Sequence, residues 1–142
     1  MRALAEIESA LELPATAGAA ALLAAAEEVL EHWVRARGEE PTTERREGFR
    51  LLALHHQGAR GEPSFNACRE TCREIAYHYN LVAAEAAGDR RVQLERMMVM
   101  LARHLLLFVG GKLQASQLGE FCCSSRPLRI ESASTETSKG CA

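Results

Sequence analysis

The segment FNACRETCREIAYHYNLV, residues 65–82, carries the most regular apolar pattern in the chain. Its apolar side chains recur at alternating spacings of three and four residues: Phe65, Cys68, Cys72, Ile75, Tyr79, Val82 and, just beyond the segment, Ala86. Such spacing places side chains along one face of an α-helix. The segment therefore predicts a helix that is buried along this stripe.

The rest of the chain also favours helices. Apolar residues recur at helical spacing, and no stretch alternates with period two, as a strand does, for more than a few residues. We predict a short first helix over about residues 2–13 and a second over about residues 16–37, with Gly38 as its C-terminal cap. A third helix, capped by Thr42 or Thr43, continues to about residue 57.

The second half of the chain predicts two further helices. Ser64 caps the fourth, which ends near residue 87, and the fifth covers about residues 90–118, with Gly110 and Gly111 interrupting or ending it. Short connections favour antiparallel neighbours. The fold class is therefore all-α: an antiparallel bundle of four main helices plus a short N-terminal helix, or a stack of helical hairpins.

Composition bounds the class of protein. The chain has 142 residues, 47% of them hydrophobic and 25% charged, which is typical of one globular domain. Seventeen basic against 19 acidic residues give a net charge of −2, so no basic surface for nucleic acid is indicated. The polar sequence after Gly119 predicts a flexible tail, so we divide the chain into a helical domain, residues 1–118, and a tail, residues 119–142.

The N-terminal sequence MRALAEIESALELP lacks the layout of a signal peptide, which favours a cytoplasmic protein. The longest apolar run, MMVMLARHLLLFV at residues 97–109, is shorter than the roughly 20 residues of a membrane span. We predict that it is a buried helix without a transmembrane role. Its methionines, Met97, Met98 and Met100, are predicted to fill the core, with haem ligation beside His104 as the alternative.

Five cysteines, an odd number without framework spacing, are predicted to be reduced thiols. Cys68 and Cys72 lie within the apolar stripe and are predicted to be core residues without a cofactor. The alternative is a zinc or other soft-metal site, or a thiol-redox site, formed by Cys68, Cys72 and His56, with His55 or His78 as a further ligand. This alternative depends on the third helix ending close to the thiols.

A second pair, Cys122 and Cys123, lies in FCCSS at the border of the predicted tail. Exposed, unmodified thiols are the favoured interpretation, and S-palmitoylation is the alternative. One acyl chain gives only marginal membrane anchoring, and no polybasic cluster accompanies it.

The sequence contains no phosphate-binding glycine loop, no HExxH motif and no Glu-x-x-His pair. We therefore predict a non-enzymatic protein-protein interaction module, an adaptor or regulatory subunit that presents a helix face or groove to a protein partner or to a second copy. Leu23, Leu30 and Val34 widen the apolar arc of the second helix and are the predicted partner-binding residues. The alternative for this arc is a central position in a larger bundle.

Overall fold

The computed structural model of the protein describes residues 1–12, 18–85 and 87–116. Its elements are α1 (Leu4–Glu12), α2 (Ala19–Ala36), α3 (Arg50–Ala59), a 3-10 segment (Pro63–Cys68), α4 (Arg69–Ala84) and α5 (Asp89–Ala115). Within the described residues, the β structure consists of one isolated bridge between Arg46 and Phe49. The prediction of an all-α fold is confirmed.

The third helix begins at Arg50, not after Thr42 or Thr43 as the sequence predicted. A two-residue turn precedes it, in which Glu47 has φ 53° and Gly48 has φ 85°. Two hydrogen bonds of 2.9 Å between the backbones of Arg46 and Phe49 close this turn. Positive φ at both central positions is typical of a type I′ turn and incompatible with an α-helix.

The segment between α2 and α3 is held in place by Gln57. The Thr42 amide donates to Gln57 Oε1 at 2.9 Å, and Gln57 Nε2 donates to the Glu40 carbonyl at 2.9 Å. The Thr42 hydroxyl accepts the Glu44 amide at 3.0 Å and so supports a local turn, not a helix start. Residues 38–49 are therefore a non-helical connection that leads back to the start of α3.

This connection makes α2 and α3 parallel neighbours. Arg50, at the start of α3, bonds to Glu31 in α2 at 2.5 Å. Near the ends of both helices, Trp33 Nε1 donates to the Gly58 carbonyl at 2.9 Å. Because the contacts advance in the same direction along both helices, the antiparallel order that the sequence predicted does not hold for this pair. The residues before Arg50 that the sequence assigned to the third helix belong instead to the connection, and this connection makes the parallel order possible.

Helices α3 and α4 run antiparallel. Phe49, at the start of α3, contacts Tyr79 near the end of α4, edge to face with ring centroids 5.8 Å apart. His55, later in α3, stacks on Phe65 just before α4, at 5.3 Å. The tight connection GARGEP, with Gly61 at φ 71°, reverses the chain between them as expected.

Helix α2 ends at the predicted glycine. Gly38 has φ 83°, and its amide donates to the Arg35 carbonyl at 2.9 Å. The Glu39 amide donates to the Val34 carbonyl at 3.2 Å. This pair of bonds with a left-handed glycine is a Schellman cap.

Phe65 lies at the centre of the core. Its ring stacks on Trp33 of α2 with centroids 4.8 Å apart, contacts His55 of α3, and meets Phe108 of α5 at 5.8 Å. The predicted stripe is buried at Phe65, Cys68, Cys72, Ile75 and Val82. Tyr79 is partly exposed, and Ala86 lies outside the described residues. We call Phe65, Trp33, His55 and Phe108 the aromatic cluster below.

The chain clusters into two compact units, Met1–Val109 and Gly110–Ala142. The first unit contains α1 to α4 and most of α5. Of the second unit, residues 110–116 are described; α5 continues through Gly110 and Gly111, where the sequence predicted an interruption or an end, and reaches Ala115. The predicted domain boundary after residue 118 and the predicted tail, residues 119–142, lie outside the described residues.

Candidate functional site

Cys68 and Cys72 are free thiols at the junction between the 3-10 segment and α4. Cys68 is the N-cap residue of α4 and is 2% exposed, and Cys72, one turn later, is fully buried. Cys68 Sγ donates to the Phe65 carbonyl at 3.4 Å. The same carbonyl accepts a bond from His55 Nε2 at 3.1 Å, which requires the proton of His55 on this nitrogen. The junction therefore brings two thiols and one imidazole together.

The two thiols titrate differently because one donates a hydrogen bond to the other. The Cys72 thiol donates to Cys68 and lowers the pKa of Cys68, against the opposing effect of burial, and His55 lowers it further. The same bond, together with burial, raises the pKa of Cys72 well above its usual value. The partial positive charge at the start of α4 also favours an anion at its N-cap. Cys68 is thus the thiol that ionises first.

The structure brings His55, not His56, to the thiols. His56 is exposed. The pKa of its imidazole is lowered, first because the ring loses part of its hydration and then because Arg46 and Arg60 are positively charged. Adjacent residues point about 100° apart around a helix, so only one of the two histidines can face the thiols. In residues 1–12, 18–85 and 87–116, no group of three or more His, Cys, Asp or Glu side chains is placed to hold a metal ion.

The other predicted ligand, His78, also lies apart from the thiols. Its Nδ1 lies 2.8 Å from the carbonyl of Glu74 one turn earlier, and 3.7 Å from the Glu74 carboxylate. His78 is therefore engaged on its own helix, as a flanking residue.

The predicted partner-binding residues occupy different environments. Leu30 and Val34 are buried in the core of the chain, and Leu23 is partly exposed. Helix α2 contacts α1, α3 and α4, so the wide apolar arc is explained by a central position, which was the alternative at the sequence level. A partner role for these residues remains a prediction, with Leu23 the accessible one. Cys122 and Cys123 lie outside the described residues.

Helix α5 has a second apolar face that the sequence interpretation missed. Met98, Ala102 and Leu105 are buried on one side, as a core helix requires. On the other side, Met97 is 42% exposed, Met100 63% and Leu107 67%. We call this exposed side the outer face of α5; its residues are Gln93, Arg96, Met97, Met100, Arg103, His104 and Leu107. Met97 and Met100 were predicted to be core residues, and the structure places them in solvent.

The sequence did contain a signal for the outer face. A helix that buries one face needs an apolar stripe of little more than 100°, and residues 97–109 are apolar at nearly every position. Such a run has more apolar side chains than one buried face can use. The prediction that residues 97–109 form a buried helix does not account for this excess.

The charge of the outer face is entirely basic. Arg96, Arg103 and His104 are exposed between the apolar side chains, and none of the seven residues is acidic. Among the described residues, Arg96 and Arg103 have no carboxylate partner. Earlier on the same helix, Arg90 pairs with Glu85 at 2.9 Å and Arg91 pairs with Glu95 at 3.6 Å. The outer face therefore differs from the start of α5 in leaving its positive charges without a partner.

A groove between α3 and α4 is a further candidate surface. It is lined by Glu47, Phe49, Leu52, Glu70, Arg73, Glu74, Ala76, Tyr77 and Asn80. Arg73 pairs with Glu47 at 3.1 Å across the groove, so charge is partly neutralised within it. Tyr77, at 57% exposure, is its one large exposed apolar side chain. The groove offers less unpartnered apolar surface than the outer face of α5.

Comparison with protein-family models, with curated proteins and with solved structures found no match. Among the residues that the structure describes, none of the helices combines the length and the apolar character needed to cross a membrane.

Proposed function

We propose that the chain is a non-enzymatic helical interaction module that binds a partner helix on the outer face of α5. The observation that carries this proposal is the exposure of Met97, Met100 and Leu107 on a helix whose opposite side is already buried. Full burial of each such side chain contributes about 1.5–3 kcal/mol. Because each of the three is already partly covered, a partner that buries them gains a fraction of this value at each position.

The spacing along the outer face suits a helical partner. Its residues recur every three or four positions, which places them along one side of α5 within reach of a helix lying beside it. Helix-in-groove and helix-pairing interactions use anchors at such positions. Met97 and Met100 are flexible and polarisable, so they can adapt to an irregular apolar surface.

The test compares charged substitutions on and off the outer face. Met100→Glu with Leu107→Glu should remove partner binding, because each change replaces an apolar anchor with a charge that the interface would have to desolvate. Tyr77→Glu is the matched control, since Tyr77 is equally exposed but lies on α4. Helicity by circular dichroism should be unchanged in all variants, because these side chains already contact water.

Binding is measured in two steps. Proteins from a lysate of the source organism that are retained by the parent chain and by the Tyr77→Glu control, but not by the double variant, are purified, and their affinity is measured by calorimetry. We expect the double substitution to raise the Kd for a purified partner about a hundredfold, which corresponds to about 2.7 kcal/mol of binding free energy. A purified partner that binds both forms equally would exclude the outer face as the site.

The thiol pair supports a second candidate, a thiol-redox protein. Its specific support is the placement of two free thiols one turn apart at the start of α4, with Cys68 as the N-cap residue. The Cα atoms of residues four apart in a helix are about 6 Å apart, within the Cα separation of a disulfide, although their Cβ atoms have to move closer for the bond to form. An external disulfide is the oxidant: the Cys68 thiolate attacks it and releases one thiol, and Cys72 then attacks the Cys68 sulfur and releases the second. Two protein thiols become one disulfide, and the external disulfide becomes two thiols.

Mass spectrometry tests this candidate in a chain in which Cys122, Cys123 and Cys141 are serine. If the thiol pair is redox-active, the folded protein incubated with oxidised glutathione forms an internal disulfide between Cys68 and Cys72. If the pair is structural, both thiols remain reduced until denaturant is added, because both are buried.

A further inference from the structure

We infer that the partner of the outer face of α5 is an acidic amphipathic helix of a different protein, not a second copy of this chain. This inference rests on the proposed interaction function and specifies the chemistry of its partner. Carboxylates flanking an apolar stripe on the partner would pair with Arg96 and Arg103 while the stripe covers Met97 and Met100.

The outer face lacks a counter-charge. Of the other arginines in the described residues, seven form ion pairs with a glutamate: Arg2, Arg35, Arg50, Arg60, Arg73, Arg90 and Arg91. In the same part of the chain, Arg37 and Arg45 donate to backbone carbonyls instead, and Arg46 and Arg69 are exposed without an ion pair to a glutamate. Arg96 and Arg103 have no such partner among the described residues, and they flank the most exposed apolar side chains of α5. A complementary surface therefore has to bring the carboxylates itself.

The outer face cannot supply the missing carboxylates to a second copy of itself, because none of its seven residues is acidic. Parallel pairing of two copies would also place Arg96 beside Arg96 and Arg103 beside Arg103, and each close pair of like charges in water costs about 1 kcal/mol. Docking of the outer face on a different surface of a second copy would be a heterologous contact, which produces a ring or an open-ended filament.

Anionic lipid is the other surface that a basic apolar helix fits. Lipid-binding basic segments use about four to eight Lys or Arg residues, each contributing about 1 kcal/mol. The outer face has two arginines and one histidine, and it carries no tryptophan, tyrosine or phenylalanine to anchor at the lipid interface. A protein helix with a few well-placed carboxylates matches this charge better than a lipid surface.

The experiment uses two synthetic helical peptides that share one leucine stripe and differ in its flanks, which are glutamate in one peptide and lysine in the other. Binding of each labelled peptide to the full chain is followed by fluorescence anisotropy. We expect the glutamate peptide to bind about tenfold more tightly, and this preference to shrink as salt is added. Arg96→Glu with Arg103→Glu should reverse the preference. Arg69→Glu is the control, since Arg69 is equally exposed but lies on α4.

The outcomes separate the inference from the function on which it rests. Equal affinity for both peptides, lost on Met100→Glu, would overturn the acidic partner and retain the binding face. Failure of both peptides to bind would overturn the proposed function and the inference together.

Two parallel measurements examine the alternative occupants. Concentration-dependent association in sedimentation experiments that Met100→Glu abolishes would overturn the inference in favour of a second copy. Tighter binding to phosphatidylserine vesicles than to the glutamate peptide would overturn it in favour of a membrane. We expect the chain to be a monomer, to show no binding to the vesicles, and to bind the glutamate peptide more tightly than the lysine peptide.

Discussion

The aromatic cluster and the outer face of α5 differ in how far the rest of the chain covers their side chains. Phe65 is covered by rings from α2, α3 and α5, and the polar atoms of Trp33 and His55 bond to backbone carbonyls. On the outer face, methionine and leucine side chains remain in solvent and two arginines have no carboxylate partner among the described residues. Where every group is satisfied within the chain, packing explains the residues. Where apolar side chains and unpaired arginines both face solvent, packing within the chain does not explain the residues, and this is the basis of the proposed partner.

The largest expected effect is on the aromatic cluster. Phe65→Ala should lower the free energy of unfolding by about 3–5 kcal/mol, because it removes three ring contacts and leaves a cavity. Chemical denaturation measures the change. Leu107→Ala is the matched control on the outer face and should cost less than about 0.5 kcal/mol. Similar losses at both positions would remove the contrast between the two regions.

The close approach of α2 to α3 predicts the next effect. A Cβ atom on Gly58 would lie 2.8 Å from Trp33 Cδ1 and 3.1 Å from Phe65 Cε2. Gly58→Ala should therefore destabilise the protein by about 1–3 kcal/mol, although alanine is the better helix former. Gly111→Ala, where nothing lies within 4 Å of the added atom, should stabilise it by about 0.5–1 kcal/mol. Thermal unfolding of the two variants should shift in opposite directions.

The thiol pair predicts a pH effect. Cys72→Ala removes the S–H group that donates to Cys68, so the pKa of Cys68 should rise. Thiolate absorbance, titrated in the chain with serine at 122, 123 and 141, should then appear at higher pH in the variant than in its parent. An unchanged titration would show that Cys72 does not control Cys68.

The smallest expected effect concerns stability on the outer face. Met100→Gln and Leu107→Gln should change the free energy of unfolding by less than about 0.5 kcal/mol, because these side chains contact water in both folded and unfolded states. Chemical denaturation of each variant checks this. A loss of more than 1 kcal/mol at either position would mean that the chain itself covers the face.

The sequence predicted the elements whose signals are local. The three-and-four spacing from Phe65 to Val82 identified the buried face of α4, and Gly38 identified the end of α2. It predicted the wrong start for α3 because Glu47 and Gly48 adopt positive φ, for which Gly48 was the only cue. The parallel order of α2 and α3 follows from that turn, so it was missed as well.

The candidate site was less predictable because it depends on tertiary packing. Two adjacent histidines lie near the end of α3, and the metal or redox alternative at the sequence level chose His56. The structure buries Leu51, Leu54 and His55 and leaves His56 exposed, because the neighbours of α3 decide which of its sides is covered. Likewise, periodicity reveals that α5 is apolar, but only the position of its neighbours decides which side remains exposed.

Three methionines within four residues of α5 allow the most direct test of the central claim, that the outer face is open until a partner covers it. Met97, Met98 and Met100 are oxidised with dilute peroxide in the isolated chain and in the presence of the glutamate-flanked peptide, and each site is followed by mass spectrometry. We expect rapid oxidation of Met97 and Met100, slow oxidation of the buried Met98, and protection of the first two by the peptide. Equal rates at all three sites, or slow oxidation of Met97 and Met100 in the isolated chain, would contradict this claim.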